Sequence, residues 1–463
     1  MKFIVGSQIR VEDASLELKD WCEEELVLDN PEYHKKKNMG LWTGNIPQKI
    51  YLYQEDGLDI VLPYGCITEL MRRYPQHAFV SAQKPFKGFK YGSGINLYDY
   101  QEKAVESAIR AAHGVIVMPC GAGKTQTALE LISRIGGKAL WLTHTQDLLN
   151  QSLNRAKSVL NCPISSYGKI TGGKVEIGTG ITFATVQTMS KLNLAQLRDC
   201  WDVVIVDECH RAIGSPTKVM QFYKVLSNIS CKYKYGLTAT PKRADGLEKS
   251  MFALLGGVVH EVSKEEVAHT TCPVAVEFWE TGYKPDLDVV LAGDGTLNYA
   301  SLVSDMISNQ ERFDYIVKML NRAYTYSGAI LVLGNRVEYL ERLSKEFNGK
   351  CICLSGMGNS KAAKAERKEA LRKLNDGEIS CVFATYQLAK EGLDVPNLRH
   401  VWFVTPEKDE TTVTQAAGRV GRKHPGKEFG YVIDFVDDFG MYRGWKKKRE
   451  RYYKKLGYAV TRP

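Results

Sequence analysis

The stretch DVVIVDECHRAIGS closes an apolar run, Val203 to Val206, with two adjacent carboxylates, Asp207 and Glu208. Paired acids where a buried strand surfaces can hold a divalent cation and take a proton from an attacking water. They can also do no more than meet solvent. The partner chemistry lies upstream, in PCGAGKT, which follows the apolar run GVIVM and precedes the helix-like QTALELISRI. Small residues let backbone N–H groups approach phosphate oxygens, and a helix N-terminus adds partial positive charge. In that frame Pro119, Cys120, Gly121, Ala122 and Gly123 form the cradle. Lys124 reaches the β- and γ-phosphates and the Thr125 hydroxyl ligates Mg²⁺. The strict pattern GxxxxGKT wants glycine where this chain has Met118, but Gly121 and Gly123 still flank the phosphate approach. Asp207 is suited to hold the same cation from a neighbouring strand, and Glu208 to polarise the water as general base.

Strands must carry these residues. GVIVM, KALWL, ITFAT, DVVIV and KYGLTAT are short apolar runs separated by helix-length segments or loops, which predicts a parallel α/β sheet. A second series, AILVL, CICL, SCVFAT, HVWFV and YVIDFV, begins near Ala329. The expected fold class is α/β, with two tandem parallel-sheet domains, a small α+β N-terminal domain and a basic C-terminal tail. The expected boundaries are 1–93 for the N-terminal domain, 94–265 for the first α/β domain, and 266–321 for a less regular connecting region. The second α/β domain takes 322–440 and the tail 441–463. Within the N-terminal segment, QKIYLY and LDIVL read as strands around the turn EDG, YGCITELMRRY as a short helix, and KPFKGFKYGSG as the linker onward.

At 463 residues there is room for about three domains. The 44% hydrophobic and 25% charged composition is ordinary for a soluble protein. No run approaches the ~20 apolar residues of a membrane span, and Met1–Arg10 lacks the pattern of a signal peptide. Eleven cysteines are scattered without a CxxC pair, and Cys351 and Cys353 fit a buried strand better than a zinc site. The expected setting is a reducing cytoplasm. The net charge of +9 is uneven: the last 23 residues carry nine Lys or Arg against one acid, Glu450. Such a tail attracts polyanions or forms a solvated helix face.

The motifs stand in the order of the superfamily 2 helicases, which the chain resembles from Tyr98 to Asp437. DECH resembles the family's second motif. LYDYQ resembles the glutamine motif, implying that Gln101 reads adenine, although Tyr98 stands where the family often has Arg. LTHTQDLLNQ and TFATVQTM resemble strand-contacting motifs, implying DNA contacts from Thr145, Gln151, Thr185 and Gln187. LTATPKR matches the motif linking hydrolysis to movement, through Thr238, Ala239 and Thr240 together with His210. ATYQLAKEGLDVP supplies Thr385 to the strand and Glu391, Gly392 and Asp394 to the fifth motif, the last two on the nucleotide side. QAAGRVGR supplies Gln415, Gly418, Arg419 and Arg422. The resemblance implies RecA-like domains, ATP and Mg²⁺ as cofactors, and a nucleotide gripped by Lys124 from one domain and by Arg419 and Arg422 from the other. The domains would then open and close with each hydrolysis cycle.

Within the superfamily the chain resembles most the phage branch-migration and fork-remodelling helicases (the UvsW type), and its PCGAGKT loop is similar to that of XPB-type repair helicases. MGLWTGNIPQKIYLYQEDGLDIVLPYG resembles the small N-terminal DNA-binding domain of the phage enzymes. There Lys35, Lys36 and Lys37 adjoin Trp42, pairing charge with a ring able to stack on a base. The alternative is a solvated loop with Trp42 in a small core. In the tail, Trp445, Lys446, Lys447 and Lys448 either meet nucleic acid or dock the tail onto the second domain. The resulting expectation is an ATP-dependent DNA helicase or translocase, monomeric, that unwinds or branch-migrates forked and junction DNA in replication, recombination or repair. It would work in the host cytoplasm if of phage origin. Three alternatives stay open: an RNA helicase, a non-hydrolysing nucleotide-gated DNA-binding subunit, and the motor subunit of a restriction or packaging machine.

Overall fold

The five apolar runs of the first half form five parallel strands, each an unbroken run because helices cover both faces of the sheet. The computed structural model describes the chain apart from residues 87, 120, 211–215, 240, 242–246, 269–270, 294, 325–327, 355–360, 387–394 and 462–463. It divides into two compact units, Met1–Ser263 and Lys264–Pro463. The sheet of the first unit runs, in spatial order, Lys174–Glu176, Tyr167–Thr171, Ile181–Thr185, Ala139–Thr143, Val203–Val206, Tyr233–Thr238, His113–Val117 and Val258–Glu261. All neighbours are parallel except the first pair.

The second unit holds a seven-stranded, wholly parallel sheet. Its order is Cys351–Cys353, Cys381–Thr385, Ala329–Gly334, Leu398–Phe403, Gly430–Val436, Val274–Glu280 and Ala459–Thr461. Two segments differ from expectation. Residues 266–321, read as a connecting region, supply the strand Val274–Glu280, which pairs along its whole length with Gly430–Val436. They also supply the helix Tyr299–Ser308 and most of Gln310–Tyr324, whose Met306, Phe313 and Ile316 lie in the core. The strand VAVEFWE buries Val274, Val276 and Phe278 in alternation, and Glu277 interrupts what would otherwise read as a continuous apolar run.

The last 23 residues do not form a free tail. They fold as the helix Gly440–Lys455 and the edge strand Ala459–Thr461. Tyr442, Arg449 and Tyr453 make the buried face of that helix. Arg449, 1% exposed, grips Asp434 through Nε (2.6 Å) and Nη2 (2.7 Å) and donates from Nη1 to the Glu407 carbonyl (2.8 Å). The Tyr453 hydroxyl donates to the same aspartate at 2.9 Å.

Residues 1–93 are tied to the first unit as part of one continuous core. A five-stranded sheet, ordered Gln54–Asp56, Asp59–Pro63, Gln8–Glu12, Lys2–Val5 and Phe79–Ser81, is followed from its second strand by the turn Tyr64–Cys66. A Cβ at Gly65 would stand 2.4 Å from the backbone nitrogen of Gly256, so only glycine lets the two backbones meet. The Tyr64 hydroxyl donates to the Lys232 carbonyl (3.0 Å), and Gln83 Nε2 donates to the carbonyls of Gly6 (3.3 Å) and Cys231 (3.0 Å). Lys234, 0% exposed, donates to the carbonyls of Ser7 (3.2 Å) and Leu226 (3.1 Å), with its ammonium 4.6 Å from the Tyr64 ring centre. Burial pushes this ammonium down to about 8, and nearby Cys231 opposes the shift.

Two predictions test this architecture. Asp434→Asn leaves a buried guanidinium without its counter-charge and is expected to cost roughly 3–5 kcal/mol in urea unfolding. Lys447→Ala, on the outer face of the same helix, should stay within about 0.5 kcal/mol. For Lys234 the folded state releases its proton near 8 and the unfolded state only near the ordinary lysine value of about 10.4. Between those limits the unfolded chain binds more protons, so stability rises with pH by roughly 1.4 kcal/mol per unit. The stability of the wild type relative to Lys234→Met should therefore be flat from pH 6 to 7 and climb above pH 8. A flat difference up to pH 10 would contradict the buried ammonium.

Candidate functional site

In a parallel α/β sheet, ligands bind at the carboxyl ends of the strands. The phosphate loop, the DECH box and the segments that carry Thr145, Thr185 and Thr238 leave the sheet at that edge, whereas LYDYQ opens the helix Asp99–Ala111. After Val117 the chain enters the phosphate loop, fixed at its start by a bond from Met118 N to the Thr238 carbonyl (2.9 Å). Gly121 and Gly123 hold φ of 86° and 77°, the left-handed region where a side chain is strained. Gly123 caps the helix Lys124–Ile135, whose first turn carries Lys124 and Thr125. Lys124 Nζ lies 3.7 Å from Glu208 Oε1 and 3.5 Å from the Met118 carbonyl.

The DECH residues split between site and core. Asp207 prolongs its strand by one bond, from its N–H to the Leu142 carbonyl (2.9 Å), and Ser152 Oγ stands 3.5 Å from its buried carboxyl. Burial and then the Glu208 charge push the Asp207 carboxyl up, while Lys124 opposes. Such a carboxyl gains from a cation. Together with the Thr125 hydroxyl it offers the oxygen ligands that Mg²⁺ prefers. Glu208 has φ of 49°, a left-handed turn in a residue with a side chain. Its carboxylate faces Lys124 on one side and His210 Nδ1 (3.3 Å) on the other. His210 Nδ1 also lies 2.9 Å from Thr238 Oγ1, bridging two adjacent strand ends. Cys209 turns inward, its sulfur 3.2 Å from that of Met251.

Several other expected residues have partners within the protein. Gln101 is 2% exposed. Its Oε1 accepts from Tyr98 N (3.0 Å) and its Nε2 donates to the Ala122 carbonyl (3.0 Å). The expected adenine reader therefore holds the phosphate loop, jointly with the Tyr100 hydroxyl on the same carbonyl (3.3 Å). Thr145 caps the helix Gln146–Val159 by accepting from Leu148 N. Thr185 is buried and donates to Thr188 Oγ1 (2.9 Å). Gln187 Nε2 donates to the His144 carbonyl (2.9 Å), joining the ends of two strands. These three residues brace the edge where nucleic-acid contacts were expected. Two residues without an expected role also touch the site: Tyr100, inside LYDYQ, and Ser152, one residue past LTHTQDLLNQ. Ala239 follows Thr238; Cys120, Thr240, Glu391, Gly392 and Asp394 lie outside the described residues.

In the second unit, Thr385 ends the strand Cys381–Thr385. Gln415 lies on the helix Glu410–Gly418, and Arg419 and Arg422 occupy the turn that follows it. Lys35, Lys36 and Lys37 lie on the helix Pro31–Asn38, capped by Asn30, and none makes an ion pair among the described residues. Trp42 is 86% exposed, so no small core encloses it. Trp445 packs against Tyr442 (5.7 Å) and Tyr299 (6.0 Å) under the Lys408 ammonium. Lys446 pairs with Glu280 (3.7 Å) above the Phe278 ring. Both residues dock their helix onto the second unit, whereas Lys447 and Lys448 face outward.

Comparison with known proteins agrees with this fold. Residues 94–243 match the family model of the res subunit of type III restriction enzymes, and residues 311–424 that of the helicase conserved C-terminal domain. The DNA 3'-5' translocase XPB2 of Sulfurisphaera tokodaii is 27% identical over 394 residues, covering 77% of this chain and 85% of that one. A putative ATP-dependent RNA helicase of Acanthamoeba polyphaga mimivirus is 26% identical over 365 residues, covering 78% and 67%. Among solved structures, S. cerevisiae Dbp5 bound to RNA and ADP BeF3 aligns over 87% of this chain and 94% of its own, with a TM-score of 0.55 and 15% identity, a likeness of fold.

Gly123→Ala tests the loop. Its Cβ would stand 2.4 Å from Gln101 Nε2, in a left-handed backbone. It should cost roughly 1–2 kcal/mol of stability and weaken nucleotide binding in equilibrium titration. Gln101→Ala in the same chain should recover only the steric part.

Proposed function

The chain belongs to superfamily 2 of the helicases, and on that premise we propose that it is an ATP-dependent translocase that unwinds or branch-migrates forked and junction DNA. One observation carries the ATPase half of this reading: Lys124 and His210 stand on either side of the Glu208 carboxylate. Lys124 binds the β- and γ-phosphates from the loop. Thr125 and Asp207 hold Mg²⁺, which when bound neutralises phosphate charge. Glu208 accepts the proton of the attacking water, oriented by its own strained turn and by His210. His210 then links the protonation of Glu208 to Thr238, and so to the strand that leads into Ala239 and Thr240. Arg419 and Arg422 neutralise charge in the transition state, worth about 10³ to 10⁵ in rate in other nucleotide hydrolases.

The DNA half rests on resemblance and surface chemistry. The N-terminal segment is similar to that of the phage branch-migration enzymes, and XPB2 is a DNA translocase by name. Lys35, Lys36, Lys37, Lys447 and Lys448, without an ion pair among the described residues, suit phosphates, which carry no sequence information, and the exposed Trp42 suits base stacking. A motor of this kind serves replication, recombination or repair. RNA is the competing substrate, favoured by the name of the mimivirus relative.

The decisive experiment is steady-state ATP hydrolysis without polynucleotide and with single strands, linear duplex, RNA, a fork and a four-way junction. Branched DNA should stimulate most, and Glu208→Gln should remove about 10² to 10⁴ of the rate while retaining ATP binding. Stimulation by RNA alone would assign the chain to RNA. Tight ATP binding without turnover on any substrate would make it a nucleotide-gated clamp.

A further inference from the structure

The turn that bears Arg419 and Arg422 is held from outside itself. The Tyr458 hydroxyl donates to the Ala417 carbonyl (3.3 Å) and the Cys272 N–H to the Gly421 carbonyl (2.9 Å). The Cys272 thiol lies 3.2 Å from the Val420 carbonyl oxygen, and Lys427 Nζ donates to the Arg422 carbonyl at 2.8 Å. Thr271 and Arg422 form an isolated antiparallel bridge. A Cβ at Gly430 would stand 2.3 Å from the Val420 carbonyl oxygen, so the strand Gly430–Val436 begins directly against the turn. Four carbonyls between Ala417 and Arg422 thus accept from donors outside the turn, up to 150 residues away in sequence.

Lys427 is the unusual member. It is 6% exposed, and its ammonium lies among cations: Arg422 and Arg399 push it down and Cys272 pushes it up, with burial the largest influence. A buried ammonium is costly unless it is hydrogen-bonded, and a bond from a charged donor contributes more than a neutral one. Lys427 puts that bond on the main chain of Arg422. An arginine that must meet developing charge gains little from its length unless its backbone is fixed, because a displacement near 1 Å can cost about 10²-fold in rate.

We propose that Lys427, assisted by Cys272, is a positioning residue for Arg422: it clamps the carbonyl of the arginine turn and sets the direction in which the guanidinium is presented. This rests on the reading that Arg422 acts in hydrolysis.

The test uses the full chain and four variants, Lys427→Met, Lys427→Arg, Arg422→Ala and the Lys427→Met/Arg422→Ala double. ATP hydrolysis on the stimulating DNA and hydrogen exchange of the peptide spanning 417–424 are both measured. Lys427→Met should lower kcat by about tenfold to a hundredfold with KM for ATP changed less than about twofold. Lys427→Arg should recover much of it, and in the Arg422→Ala background Lys427→Met should add nothing. Exchange across 417–424 should quicken while the strand Ala329–Gly334 keeps its protection. Additive kcat losses, or unchanged exchange in the turn, would overturn the proposal. If Lys427→Met does not fold, Cys272→Ala removes only the thiol contact and should show the same kcat loss at smaller size; no loss there would equally overturn it. A wild type without ATPase activity on any polynucleotide would defeat the proposed function, and the exchange measurement would still decide whether Lys427 orders the turn.

Discussion

Because Val203–Val206 pairs in parallel with the strand beginning at Tyr233, and that strand with His113–Val117, three segments leave the first sheet side by side. The Met118–Thr238 backbone bond carries this pairing one step past the strand His113–Val117, to the start of the phosphate loop. Side chains then need to reach across one strand spacing for His210 and Thr238 and two for Lys124 and Glu208. Lys124 meets Glu208, and His210 meets Thr238. The left-handed turn at Glu208 and the left-handed glycines of the loop are the local strain this arrangement requires, and such strain persists where surrounding structure over-determines it.

The strand from Tyr233 to Thr238 has a second duty. At its carboxyl end Thr238 touches His210, and near its amino end Lys234 touches Ser7 of the N-terminal sheet. A buried ammonium held by two carbonyls and a tyrosine ring has few alternative positions, so this anchor is geometrically exacting. The backbone approach at Gly65 adds a contact that no side chain could cushion. The N-terminal segment is therefore built onto the sheet that carries the motifs, and the exposed Trp42 and its lysines are presented from a base fixed to that sheet.

What the sequence disclosed followed from locality. The phosphate loop, the DECH box and the strands bearing them are read within a dozen residues, since a strand buried on both faces must be apolar throughout. VAVEFWE is less legible because its alternating burial tolerates Glu277 in the middle of the run. Gln101, Thr145, Thr185 and Gln187 lie at the edge that the motifs mark, but their partners, such as the Ala122 and His144 carbonyls, are set by folding and leave no trace in spacing. Ser152 and Lys234 are invisible for the same reason, and Lys427, although its carbonyl partner is only five residues away, reads in sequence as a surface charge because its burial is set by folding.

The basic C-terminal segment shows how far charge counting carries. Of its nine cations, Arg449 is neutralised by Asp434, Arg443 by Asp438, Lys446 by Glu280, Lys455 by Glu410 and Lys454 by Glu450. Four of those five acids lie outside the segment, so a local count overstates its field. The exposed pairs add little stability, yet beyond a Debye length of about 8–10 Å an approaching polyanion meets each as nearly neutral. Among the described residues, Lys447, Lys448 and Arg451 remain without a carboxylate, all on the outward face of one helix. These three cations lie within about one turn of a helix whose opposite face is locked to the second sheet through Arg449 and Tyr453, which suits a polyanion better than a diffuse tail would. The basic surface is thus narrower than the composition implies and far better fixed.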